Sequence, residues 1–343
     1  MTRTIIRPVL ADKRAWKKAI APYQKPDLRH SLWQLANTLV PYLLIWVLMV
    51  PAARISYWLA LPLIILAAGF VMRSFIIFHD CGHGAFFASR RANEIVGFIT
   101  GLLTFTPYFF WRHSHALHHA ASGDLDRRGS GDIWMMTVEE YLAATPWQRF
   151  VYRLYRNPVI LFGLAPLFLF LIIYRIPRRG RAREHRSVML TNVTLLAIVV
   201  LMSLLVGFKT YVILQLSILA IATTAGVWLF YVQHQYEGVY WQRHEEWDYA
   251  TAAVEGSSFY KLPKVLQWFT GNIGFHHIHH LSPRIPNYNL ERCHDENPAL
   301  QVEPITLWQS FQCLRYRLWD EANQRLIGFG ELRQLEIQPT SGF

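Results

Sequence analysis

The sequence predicts an all-α integral membrane fold, four transmembrane helices carrying a cytoplasmic helical cap, and three observations predict it. The 343 residues are 52% hydrophobic and only 17% charged, with a mean hydropathy of +0.16, more apolar than soluble domains of this size. Four runs reach the roughly 20 predominantly apolar residues that a bilayer core requires. The basic residues gather at the ends of these runs, where they set topology.

In chain order, residues 1–30 form a basic cytoplasmic lead that opens with Arg3, Arg7, Lys13, Arg14, Lys17 and Lys18. No short apolar core with a cleavage site follows, so it does not read as a secretory signal. The membrane domain covers residues 31–310. Its first two spans, 32–50 and 57–78, make a hairpin across the loop PAARIS and return the chain to the cytoplasm at His79, with Arg73 the one charge in the second span. The segment RIPRRGRAREHR, Arg175 to Arg186, is a second cytoplasmic loop. Spans 188–207 and 211–232 then cross outward and back around the turn GFKT.

Two shorter apolar stretches, Ile95 to Phe110 and Pro158 to Tyr174, are expected to lie in or on the interface. Were the second to cross, the histidines before and after it would face opposite sides of the membrane. Residues 311–343 form a cytoplasmic tail, with a helix expected from Leu307 to Leu326.

The net charge of +11 reads as topology and lipid headgroup contact, with no nucleic-acid partner. Cys81, Cys293 and Cys313 are too few and scattered for a disulfide framework, and fit a reduced compartment.

Fifteen histidines are present, and most fall in three groups beside predicted helix ends. HDCGH holds His79 and His83; HSHALHH holds His115, His118 and His119; HHIHH holds His276, His279 and His280. Positions i, i+3 and i+4 share a helix face, so each group could aim its rings at one point. Eight imidazoles exceed one four-coordinate zinc but suit two adjacent redox ions with open positions, and iron fits best. His30, His185, His244 and His294 lack such spacing and read as solvated or hydrogen-bonded side chains. His113 and His277 lie inside groups at the wrong phase. The ExxH pairs of carboxylate di-iron bundles are not the pattern here, since only Glu291 to His294 matches.

HDCGH and the two HxxHH groups resemble the three histidine boxes of the integral-membrane fatty acid desaturases. The flanks WRHSHALHHAASGDLDRRGSGDIW and GNIGFHHIHHLSPRIPNYNL resemble the acyl-lipid omega-6 (Δ12-type) branch of bacteria, cyanobacteria and chloroplasts, over about residues 30 to 310. The three residues between His79 and His83 favour that group over the acyl-CoA branch, which has four. By the same resemblance WLFYVQHQYE offers His234 as a ninth metal ligand. One turn before it the acyl-CoA branch has an asparagine and this chain has Phe230. Asn272 is a candidate substitute acting as an outer hydrogen-bond partner. Asp80, Asp124 and Asp132 are candidates to orient ligand imidazoles, Asp80 foremost.

The resemblance implies two iron ions, dioxygen as co-substrate and two external electrons, introducing a cis double bond into a lipid-linked acyl chain. No haem-binding HPGG-like segment or CxxC cluster occurs, so a separate donor, ferredoxin or a cytochrome b5-like protein, is implied. The aromatic segments Phe105 to Trp111 and Trp228 to Tyr231 are candidate walls for the acyl chain. A bacterial inner membrane, with the site on its cytoplasmic side, is the expected location. A related fatty acyl hydroxylase or a carotenoid ketolase or hydroxylase remains a rival, as does a histidine-rich metal transporter or a bis-histidine haem protein. Those last need ionisable or axial groups inside the spans.

Overall fold

The computed structural model describes residues 10, 12–129, 131–177 and 180–337. Arg3 and Arg7 of the basic lead and Arg178 and Arg179 of the arginine-rich loop lie outside the described residues.

After a short helix α1 (Lys13–Ile20), the hairpin α2 (Leu28–Ile55) and α3 (Tyr57–His83) forms the first two apolar helices. The Asp27 carboxylate caps α2 by accepting from the His30 amide, and Ser56 caps α3 through the Trp58 amide. The expected PAARIS loop is absorbed into α2, and one extended residue, Ser56, reverses the chain. At the other end of α3, Gly84 takes a left-handed conformation (φ +69°), which stops the helix directly after His83.

Helices α4 (Arg90–Leu103) and α5 (Tyr108–Ala121) meet at a 98° bend, made where Pro107 caps α5 and cannot continue α4. The strand β1 (Met136–Thr137) leads into α6 (Val138–Ala143) and α7 (Pro146–Tyr155). Next, a π-helical turn at Val159–Leu164 and α8 (Ala165–Leu171) form a segment bent 60° from α7. The Phe162 carbonyl in this turn accepts from the Thr224 hydroxyl at 2.6 Å, which gives a polar backbone group a partner in an apolar setting. Each ambiguous stretch is therefore part of a bent pair.

The second long pair is α9 (Ala182–Val206) and α10 (Phe208–His234), parted by Gly207 alone at φ +91°. The GFKT turn is thus a single glycine. Among the described residues four helices are long and apolar enough to cross a bilayer; they contain the expected spans 32–50, 57–78 and 211–232 and all of 188–207 except Gly207, which falls between α9 and α10. Only 17% of the apolar window of α9 is buried within the protein, so its outward leucines need lipid as their solvent. These helices run to 25–28 residues, about 37–42 Å at 1.5 Å per residue, against an apolar core of about 30 Å. His79 and His83 lie in the last five residues of the Tyr57–His83 helix, and His234 is the last residue of α10.

The cap follows: α11 (Tyr249–Glu255), β2 (Phe259–Lys261), α12 (Lys264–Phe269), α13 (His276–Leu281), α14 (Asn287–Glu296), β3 (Pro304–Thr306), α15 (Leu307–Ser310), β4 (Leu318–Asp320), β5 (Arg325–Ile327) and α16 (Phe329–Ile337). Trp16 and Ile20 of α1 pack in one core with Ile278 and Leu281 of α13. Strand β2 pairs in parallel with β3, while β4 pairs in parallel with β1 and antiparallel with β5. These short strands add to the helical plan. The helix expected over Leu307 to Leu326 ends after one turn. Asp320 instead receives the Asn323 amide and Nδ2, closing a hairpin. Leu318, Trp319 and Asp320 are all buried, so these three consecutive residues leave no solvent face for an amphipathic helix to present there.

Candidate metal centre

The termination of α3 at Gly84 sets the first two imidazoles, His79 and His83, one turn apart. Helix α5 supplies His115, His118 and His119, α13 supplies His276, His279 and His280, and the last residue of α10 is His234. All nine converge. The structure sorts them into two groups, His79, His83, His115, His119 and His279 in one and His118, His234, His276 and His280 in the other, with the candidate ligand atoms of each within 4.8 Å of one another.

Each HxxHH helix therefore serves both groups, rather than aiming its rings at a single point. At about 100° per residue, i and i+4 sit about 40° apart while i+3 falls on the far side of i. His115 and His119 thus face one centre and His118 the other; His276 and His280 face the second and His279 the first. The same phase argument keeps His113 and His277 out of both groups. His277 Nε2 instead lies 3.0 Å from His294 Nδ1. His244 bonds Asp124, His30 pairs with Asp27, and His185 is exposed.

The donor set suits metal ions. Nitrogens bound at about 2.1 Å on opposite sides of one ion lie about 4.2 Å apart, close to the spread observed. Buried His83 Nε2, His118 Nε2 and His280 Nε2 have no protein hydrogen-bond partner, a costly state for a polar atom unless something else engages it. Burial, reinforced by neighbouring imidazoles, holds His276, His279 and His280 well below the ordinary histidine pKa. They are neutral near pH 7, the form that donates a lone pair.

Outer partners orient the rings through their second nitrogens. His79 Nδ1 lies 3.1 Å from Asp80 Oδ1, and His118 Nδ1 lies 2.5 Å from Asp132 Oδ1. The His234 Nδ1 donates to the Gly256 carbonyl at 3.3 Å. Asp124 is spent elsewhere, accepting from Arg127 Nε, His244 Nδ1 and the Asp126 amide. Asn272 occupies a left-handed turn position (φ +58°), accepts from Gln267 Nε2 and donates to the Asn287 carbonyl. Its side chain connects to the histidines through Asn287, and its carbonyl accepts from the Phe275 amide at the start of α13. Phe230 fills the space one turn before His234, with ring centroids 5.1 Å from His118 and 5.0 Å from His234.

Sequence reasoning missed Asn287. Its amide and Nδ2 donate to Asp80 Oδ2 at 2.6 and 2.9 Å, and its Oδ1 accepts from Gln34 Nε2 at 2.9 Å. A chain from α2 through Asn287 and Asp80 thereby fixes the ring of His79. The available signal was the asparagine of PNYN, just after the third histidine group.

A cavity of about 590 Å³ begins at His79, His115 and His276 and continues to Leu219 and Ala222 in α10. Of the candidate wall segments, Phe110, Trp111, Leu229 and Phe230 line it. The rest of its wall is mostly apolar.

A family model described as fatty acid desaturase matches residues 56–310. The chain is 48% identical over 322 residues to a fatty acid desaturase of Bacillus subtilis (strain 168), covering 93% of this chain and 92% of that protein. It is 27% identical to an sn-1 acyl-lipid omega-3 desaturase (ferredoxin) of Synechocystis, over 76% of this chain and 75% of the other. An sn-1 oleoyl-lipid 12-desaturase of the same organism is 25% identical, over 69% and 68%. With four membrane-length apolar helices and a histidine cluster able to hold metal, the chain belongs to the fatty acid desaturase family, an integral-membrane family of oxidoreductases.

Proposed function

We propose that the protein is a di-iron desaturase that uses dioxygen and two electrons to introduce a cis double bond into a lipid-linked acyl chain, of the Δ12 or omega-6 type. The observation that carries this reading is nine imidazoles in two adjacent groups at the head of an apolar cavity. His79, His83, His115, His119 and His279 would hold one iron, and His118, His234, His276 and His280 the other. When bound, the iron pair supplies the oxidant that takes hydrogen atoms from two adjacent unactivated methylenes, with water as co-product.

The chain's own residues do the rest. Asp80, Asp132 and the Gly256 carbonyl fix ring orientation and tautomer at His79, His118 and His234. Trp111, stacked 4.3 Å from His115, and Phe230 present apolar surface beside the imidazoles and keep water from the reacting carbons. The cavity holds the acyl chain against the His79 end.

The names of the Synechocystis relatives support a lipid-linked acyl substrate and a ferredoxin donor; a cytochrome b5-like donor would serve the same role. The basic loops support a location on the cytoplasmic side of a bacterial inner membrane for the histidines.

Expression in a desaturase-deficient host fed oleate, with a His118→Ala control, tests the proposal. Mass spectrometry should show a new double bond that the control lacks. A hydroxyl group without a double bond, or purified protein carrying haem or a single exchangeable zinc, overturns it.

A further inference from the structure

The wall that α10 gives to the cavity is uneven. Leu219, Ala222, Thr223, Gly226, Phe230 and Gln233 line it at the three- and four-residue intervals of one helix face. Large side chains stand at either end and small ones between. A Cβ built on Gly226 would meet one neighbour, Met72 Cε of α3, at 3.3 Å. Met72 is unbranched and its terminal methyl can yield, so backbone packing does not require glycine there. The space that a side chain at 226 would take is cavity.

Gly226 lies eight residues before His234, about 12 Å down the helix. This lower reach is bounded by Val71, Met72, Leu161 and Leu219, with no charged group to receive a headgroup. Resting on the desaturase reading above, we propose that Gly226, assisted by Thr223, is the chain-length determinant. The absent side chain leaves a passage through which the methyl end of a long acyl chain runs past the histidines into the span. The Thr224 hydroxyl bound to the Phe162 carbonyl fixes the facing segment, so the passage keeps its width.

The test is product analysis of a desaturase-deficient host supplied with saturated and monounsaturated acids of graded length. Gly226→Leu should shift the product ratio toward shorter chains by roughly tenfold or more, the range set by a methylene or more of steric mismatch in an apolar pocket. Gly226→Ala should shift it less. If Gly226→Leu does not accumulate in the membrane, Thr223→Leu is read for the same shift. A wild-type product with an unshifted profile in the accumulating variant overturns this proposal alone. Absence of any double bond from the wild-type protein overturns the desaturase reading and takes this proposal with it.

Discussion

Replacing Asn287 with leucine is the sharpest probe of the buried chain behind His79. The two side chains have similar size, so the change removes polar contacts with little cavity. Two hydrogen bonds disappear, Asn287 Nδ2 to Asp80 Oδ2 and Gln34 Nε2 to Asn287 Oδ1, while the backbone amide to Asp80 remains. A bond to a carboxylate contributes about 1.5–3 kcal/mol and a neutral one about 1 kcal/mol, so the folded state should lose about 3 kcal/mol. Asp80 then holds His79 less firmly, and losses of an outer partner typically lower metal affinity 10–100-fold. Chelator competition on detergent-solubilised protein reads the affinity, and thermal unfolding reads the stability. In an Asp80→Asn background the same substitution should cost much less, because the two positions act through one contact. Unchanged metal retention, or simple additivity with Asp80→Asn, refutes the account of His79 being set from α2.

Asp132→Asn removes the carboxylate from His118 and should weaken metal retention 10–100-fold, whereas His118→Ala should abolish product; metal analysis and lipid profiling read both. Gly274→Ala places a Cβ 2.3 Å from the Tyr260 carbonyl oxygen, beside the hydrogen bond from the Tyr260 amide to the Gly274 carbonyl. The backbone ahead of α13 must shift, at a cost of about 1–3 kcal/mol or more, visible as a lowered unfolding temperature. The depressed titration of His276, His279 and His280 sets a direction with pH. Below about 6.5, the ordinary histidine value, the unfolded chain binds more protons than the folded one. Stability and metal retention should therefore fall together as pH drops through that value, in a titration followed by unfolding temperature and bound metal.

The apolar runs and the i, i+3, i+4 histidine spacing made the four spans and eight of the nine converging imidazoles legible in the sequence, while His234, isolated at the end of α10, was offered only by the family resemblance. The division between two centres follows from the same helical phase, but it requires knowing where α3, α5 and α13 cross, which no local pattern encodes. Asn287 was illegible, and Asp132 could not be told from Asp124 as a partner of a ligand imidazole, for a related reason. An aspartate in a glycine-rich loop and an asparagine after a proline are ordinary turn residues, and only long-range packing aims one at His118 and the other at Asp80. The segment around Leu318 to Ile327 misled because apolar and polar residues mix there in a way that either period can claim. The burial of Leu318, Trp319 and Asp320, paired with β1 on one side and β5 on the other, decided for strand.

The parallel pairing of Met136 with Leu318 joins stretches more than 180 positions apart, and it closes over the loop that aims Asp132 at His118. Every one of the nine clustered histidines lies upstream of Leu318, so this late strand adds no imidazole and instead ties down the strand that follows the Asp132 loop. Cutting the polypeptide before Leu318 should leave the full set of imidazoles with a slacker outer support, a loss seen first as weaker metal retention.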